Sequence, residues 1–182
     1  MKYNLVLIAT VLLLSTMLTA SSCKKDKSPA TEELLPPETQ TGAFTFGCKV
    51  DGKIYTANGK GGLLSNQHVN YSYFSDSSIS ISIGNTESKF NVRIGFKYLG
   101  NLGIYELKIF PNKGEFYDNS NGTIPTSSNT YTTDNTNNGK INIKYFNATV
   151  GGILAGTFEM NALNGNGKTI QITEGRFDIG NK

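Results

Sequence analysis

The chain has 182 residues, with 17 Lys and Arg against 14 Asp and Glu, a net charge of +3 and a single histidine. The basic residues are spread evenly rather than set in a stripe with interleaved aromatics, which argues against nucleic acid as a partner. One histidine falls short of the two or three imidazoles that a catalytic zinc usually takes, so no metal or other cofactor is expected.

Residues 1–22 read as an export signal. Lys2 precedes an apolar run from Leu5 to Leu14, and the small residues Ala20-Ser21-Ser22 follow. The apolar run is shorter than the ~20 residues needed to span a bilayer. Cys23 stands directly after the small residues, where a bacterial lipoprotein signal is cut. Its thiol is expected to take a diacylglyceryl group and to become the first residue of the mature chain. Such a cysteine carries two or three acyl chains, and at roughly 0.8 kcal/mol per buried methylene that anchor is effectively permanent. Membrane lipid is therefore the first expected partner, through Cys23.

Residues 24–42 are rich in Lys, Asp, Ser, Pro, Thr and Glu, a composition that cannot repay chain entropy and reads as a flexible tether. Pro36-Pro37 stiffens its far end. From Phe44 onward apolar residues alternate with period two, the mark of half-buried strands. In Phe44-Thr45-Phe46-Gly47-Cys48-Lys49-Val50 the even positions form the apolar face. Cys48 belongs to that face, without a disulfide partner once Cys23 is acylated, and is expected to pack as a small hydrophobe. Asp51-Gly52 is a two-residue hairpin signal.

Val69, Tyr71 and Tyr73 alternate with His68, Asn70 and Ser72. Ser78 to Ile83 sets three isoleucines against three serines. Phe90 to Lys97, Tyr105 to Ile109, Ile141 to Tyr145 and Phe158 to Asn161 repeat the pattern. Asn-rich turns punctuate these runs. The polar segment from Asn112 to Asn138 reads as a long loop, with Tyr131-Thr132-Thr133 adding a short edge strand. Ile170 and Ile172 are even whereas Phe177 and Ile179 are odd, so a β-bulge is expected near Glu174-Gly175. No sustained helical period occurs. The fold class is all-β: an antiparallel β-sandwich or partly open barrel of roughly 9–10 strands.

The chemical motifs are thin. Ala162 to Thr169 loosely follows the spacing of a phosphate-binding loop, but that chemistry needs a helix after the loop, and Thr169 to Ile172 alternates as a strand. Asn164 to Gly167 is therefore a turn, and no nucleotide is expected. His68 lies opposite Val69 and Tyr71 and should face solvent, and no Gly-x-Ser-x-Gly elbow is present. Glu106, Glu115, Asp118, Glu159, Glu174 and Asp178 are scattered singly; a facing pair among them could hydrolyse glycosides. Asp118 and Asp134 lie in Asn-rich loops without the Asp-x-Asp-x-Asp-Gly spacing of a calcium loop. Tyr71, Tyr73, Tyr98, Tyr105, Tyr117, Tyr131 and Tyr145 suit polar recognition, including that of sugars, and equally suit ordinary strands.

Two blocks carry a family resemblance. Leu35-Pro-Pro-Glu-Thr-Gln-Thr-Gly-Ala-Phe-Thr-Phe-Gly-Cys-Lys-Val-Asp-Gly-Lys-Ile-Tyr55 resembles the opening of small Bacteroidota lipoproteins catalogued as a domain of unknown function. Their closing block is similar to Gly156-Thr-Phe-Glu-Met160, Gly167-Lys168 and Ile172-Thr-Glu-Gly-Arg-Phe-Asp178. Ser22-Cys23-Lys24-Lys25-Asp26 is also typical of lipoproteins of that phylum. Glu38, Asp51 and Met160 depart from commoner residues without removing a functional group. The resemblance implies a β domain at the outer membrane and transfers no active site. It also implies that the Leu35–Thr41 block docks on the domain, which gives 1–22 as signal peptide, 23–34 as tether and 35–182 as one β domain. The expected function is non-catalytic binding or accessory work at the envelope or surface, with a glycan or an envelope protein as partner. The alternatives are a carboxylate-dependent hydrolase of envelope or dietary glycans and a purely structural accessory lipoprotein.

Overall fold

The computed structural model describes residues 34–61, 65–87, 89–120, 124–149 and 151–180. The expected signal peptide, Cys23 and nearly all of the tether lie outside them. The described residues belong to one compact unit, 33–182. They contain eleven strands and no helix: β1 Thr45–Val50, β2 Lys53–Asn58, β3 Gln67–Tyr73, β4 Ser78–Asn85, β5 Phe90–Lys97, β6 Gly103–Leu107, β7 Lys113–Asp118, β8 Thr130–Thr132, β9 Gly139–Phe146, β10 Ile153–Asn164 and β11 Thr169–Gly180.

Nine strands follow one another around the path β2-β1-β11-β10-β8-β7-β5-β4-β3. Every pairing is antiparallel. The two ends of the path meet through single bonds rather than a ladder. Asn58 N donates to Gln67 Oε1 at 2.9 Å, and Val69 N donates to Gly59 O at 3.2 Å. The buried Asn85 amide donates to Thr56 O at 2.9 Å. The result is a near-closed all-β barrel or sandwich. β10 is the fork: its first half pairs with β9, its last two residues with β8, and β6 pairs with β9.

Alternation places the core where the sequence predicts it. Phe44, Phe46, Cys48 and Val50 are buried on one face of the first block, and Ile79, Ile81 and Ile83 on one face of β4. A run of rings crosses the interior. Phe158 of β10 packs on Phe46 of β1 at 5.7 Å between centroids, Phe46 on Phe90 of β5 at 6.1 Å, and Phe90 on Phe116 of β7 at 6.4 Å. Each ring buried in this way contributes roughly 1.5–3 kcal/mol relative to exposure. Asp51 and Gly52, at φ 48° and 82°, form the two-residue turn between β1 and β2, whose positive angles match the strand twist.

The register change in β11 resolves as a bulge. Phe158 and Met160 of β10 face Gly175 and Ile172, and Gly47 and Lys49 of β1 face Arg176 and Thr173. Both neighbours therefore see one extra residue in β11, with Glu174 at φ 52°. Ile170 and Ile172 before it and Phe177 and Ile179 after it all reach the core. Gly175 is held by packing: an added Cβ would lie 2.4 Å from Phe158 Cε1 and 2.6 Å from Phe158 O.

Three expectations are corrected. The 112–138 segment is not one long loop. It contains β7, which sits between β5 and β8, and β8 joins β7 to β10 instead of standing at an edge. Second, a bulge at Lys144 reverses the end of β9, since Ala155 faces Tyr145 while Gly156 faces Ile143. Tyr145 is thereby turned outward, and Phe146 packs against Tyr71, Tyr73 and Tyr98. Third, β6 ends at Leu107, which leaves Ile109 exposed.

Gly175→Ala should lower stability by about 1–3 kcal/mol, because the backbone of Phe158 cannot yield to the new methyl. Urea denaturation checks it, and a midpoint equal to that of the wild type would disprove the packing account.

Candidate functional site

The sequence-level candidates divide into groups used by the fold and groups on its outer faces. Cys48 is wholly buried and free. Desolvation pushes its thiol up to about 12, so it has no thiolate character at neutral pH. His68 is half-buried instead of fully solvent-facing. It lies over Gly84, where an added Cβ would meet its Cε1 at 2.3 Å, and its Nε2 is 3.4 Å from Ser82 Oγ. Burial, and secondly the nearby Arg93 charge, hold its imidazole below the usual histidine value.

Asp178 is the most enclosed carboxylate. The β11 bulge turns it to the outer face, where residues 39–43 cover it. Its Oδ2 accepts from Thr39 Oγ1 at 2.6 Å, Thr41 N at 2.9 Å and Thr41 Oγ1 at 3.2 Å, and its Oδ1 accepts from Gly42 N at 2.7 Å. Burial alone would raise its pKa. The Thr39 hydroxyl and the amides of Thr41, Gly42 and Ala43 outweigh that and hold the carboxyl below its ordinary value. Nearby, Pro36 and Leu35 fill the space above Gly47, Arg176 Nη1 donates to Pro36 O at 3.5 Å, and Lys144 pairs with Glu38. The Leu35–Thr41 block thus lies against β1 and β11.

The other carboxylates stay apart or pair with lysines. Glu106, Lys140 and Glu159 stand opposite one another across β6, β9 and β10. The two carboxylate-bearing strands are therefore about 10 Å apart. Lys140 Nζ lies between them, 3.0 Å from Glu159 Oε1. Glu174 pairs with Lys49 at 2.6 Å and Glu115 with Lys113 at 2.9 Å. Asp118 Oδ1 accepts from Ser120 N at 2.9 Å, and Asp134 Oδ1 from Thr136 N and Asn137 N at 2.7 and 2.6 Å, so each closes its own turn. Among the described residues no three metal-ligating side chains cluster. Asn164 Oδ1 accepts from Asn166 N and Lys168 N, and β11 follows directly, so this turn has no helix to hold phosphate.

The tyrosines are mostly structural. Tyr71, Tyr105, Tyr117 and Tyr131 are buried, and Tyr98 packs on Phe146 at 4.9 Å. A different set of side chains lines an open pocket of about 290 Å³ on the outer face of β4 and β5. Phe74, from the turn after β3, and Phe110-Pro111, from the turn before β7, contribute to its walls. Ser78, Ser80 and Gly95 lie along the paired strands, with Arg93, Lys113 and Glu115 beside them. Phe74 and Phe110 are 50% and 86% exposed, and both border this one pocket. Sequence reading missed this site because its parts come from segments far apart in the chain; the available signal was Phe74 beside the polar run Ser75-Asp76-Ser77 and Phe110 beside Pro111.

Comparison with protein-family models, with curated proteins and with solved structures finds no match to the chain.

Two outcomes follow. Asp178 has a depressed carboxyl pKa, so its contribution is present above about pH 4 and is lost as pH falls through its folded value. Denaturant midpoints should hold between neutral pH and about pH 5 and then fall. Asp178→Asn should cost about 1.5–3 kcal/mol at neutral pH and flatten that fall. On a Cys23→Ser background, iodoacetamide at mildly alkaline pH should leave native Cys48 unmodified and alkylate it fully in denaturant, as read by intact mass.

Proposed function

We propose that the protein is a bacterial lipoprotein anchored in the outer membrane through acylated Cys23, with a β domain that does non-catalytic binding or accessory work at the envelope. The observation that carries this reading is Cys23 standing directly after the apolar run and Ala20-Ser21-Ser22, and the docked Leu35–Thr41 block fixes where the domain begins. It ties the start of the domain to Asp178 and Gly47 directly downstream of the polar stretch. That leaves 24–34 as the leash, with a reach of at most about 40 Å at 3.3–3.6 Å per residue. Leu5–Leu14, Ala20-Ser21-Ser22-Cys23 and the resemblance of the two residue blocks to small Bacteroidota lipoproteins support the same reading.

The placement of carboxylates favours binding over glycoside hydrolysis. Glu106 and Glu159 face Lys140 from either side, and Glu159 also lines an open pocket with Glu38 and Glu174; Glu159, Glu38 and Glu174 are each paired with a lysine, which occupies the acceptor that acid–base work would need. The Phe74–Phe110 pocket offers an amphipathic surface for a ligand instead.

In a bacterium that processes lipoproteins, alkyne-palmitate should label the full chain and membrane fractionation should retain it. Cys23→Ser should remove both label and retention while leaving the thermal melt unchanged. Labelling that persists in Cys23→Ser, or membrane release of the unmutated chain, would sink the anchor.

A further inference from the structure

Most glycines inside strands are explained by a neighbour that occupies the place of the missing side chain. Pro36 fills it at Gly47, His68 at Gly84, Met160 at Gly114 and Gly139, and Phe158 at Gly175, all within 2.4 Å of an added Cβ. Gly156 is closed in the same way by Asn142 O at 2.2 Å. Gly95 is different. It sits in the middle of β5, between β4 and β7, and an added Cβ would meet nothing closer than Pro111 O at 3.5 Å, an ordinary contact. Its φ is not positive either. A central-strand glycine weakens the strand and often marks a bulge, a tight bend, or a place where a ligand or another backbone comes close; the β5 ladders run without a shift, which excludes a bulge. Neither the turn geometry nor the packing of this fold requires Gly95.

The space above Gly95 is the pocket bordered by Phe74 and Phe110. At about 290 Å³ it is at the low end of small-ligand sites, with room for one ring rather than a large cofactor. Its base is the face of β4 and β5, whose backbone groups are engaged in ladders with each other and with their neighbours. A peptide strand would therefore find no free edge to pair with, and recognition falls to side chains and flat faces. The charges are two cations, Arg93 and Lys113, against one anion, Glu115. Glu115 stands opposite Arg93 across β5 and β7 but its carboxylate is paired with Lys113, and Arg93 takes part in no ion pair among the described residues. A guanidinium in that position suits bidentate recognition of a carboxylate.

We infer that the pocket over Gly95 binds an acidic glycan, with one uronate ring against the Phe110 or Phe74 face and its carboxylate on Arg93. This inference rests on the binding half of the proposed function and is independent of the lipid anchor. An aromatic face takes the C–H face of the sugar, Ser80 and Glu115 are placed for ring hydroxyls, and Arg93 supplies the selectivity for acid over neutral sugar.

The test uses residues 33–182, which contain the whole core. Calorimetry with oligogalacturonate should show saturable binding that weakens with salt, with dextran and methyl-esterified oligogalacturonate silent. Arg93→Gln should weaken it about tenfold or more. Phe110→Ala should weaken it about threefold to tenfold. Gly95→Leu should abolish it by filling the pocket. Arg93 and Phe110 are exposed, so their variants should melt with the parent; Gly95→Leu is read only alongside an unchanged melt. Absence of oligogalacturonate binding overturns the inference. Equal binding by all three variants also overturns it while leaving a binding domain with its site elsewhere. Arg93-dependent binding of polyglutamate in place of the uronate would assign the pocket to acidic peptides and likewise overturn it. None of these results bears on Cys23, whose label is read separately.

Discussion

The extra residue in β11 is the constraint on which the other features depend. β11 is flanked by β1 and β10 along its length, and its two halves have apolar residues of opposite parity. A strand without the insertion would bury one half correctly and turn Phe177 and Ile179 to solvent. It would also drive the Asp178 carboxylate into the ring stack of Phe46 and Phe158. Glu174 in the left-handed region absorbs the mismatch. The same shift then delivers Asp178 to the outer face, where the backbone of residues 41–43 and the Thr39 hydroxyl close over it. Core, bulge and docked block are thus one arrangement.

Much of the barrel was legible in the sequence because half-buried strands advertise themselves by alternation. β4 and β5 are the plainest cases, and the parity switch in β11 was enough to predict its bulge. The failures have a common cause. β7 reads Lys-Gly-Glu-Phe-Tyr-Asp, in which Gly114 takes an inward position that a large residue would normally mark; Met160 fills that space from β10. β8 reads as a short strand at Tyr131-Thr132-Thr133, but three residues are too few to show that both its edges are paired. In β9 the bulge falls after Ile143, and the strand then ends on two adjacent aromatics, either of which suits the inward face, so Tyr145 and Phe146 exchange places. The Leu35–Thr41 block was legible only through resemblance, since Thr39 and Thr41 serve a buried carboxylate rather than an apolar face.

The candidate site was less legible than the fold. Tyrosines and carboxylates drew attention because of their chemistry, and the structure uses most of them internally. The pocket is instead assembled from two turn phenylalanines, an arginine outside any ion pair among the described residues, and a glycine with open space above it. Only three-dimensional placement shows that most strand glycines are covered and that Gly95 is open.

The clamp on Asp178 also sets where the molecule bears load. Tension on the chain upstream of Leu35 meets the Leu35 and Pro36 contacts above Gly47, the Arg176 bond to Pro36 O and the Lys144–Glu38 pair, and then the Thr39, Thr41 and Gly42 bonds to a carboxylate on β11. That strand is held on both sides by antiparallel neighbours, so the pull is shared across β1 and β10 before any core residue is exposed. Stripping residues 35–43 from this face would break these bonds while leaving the ladders on both sides of β11 in place.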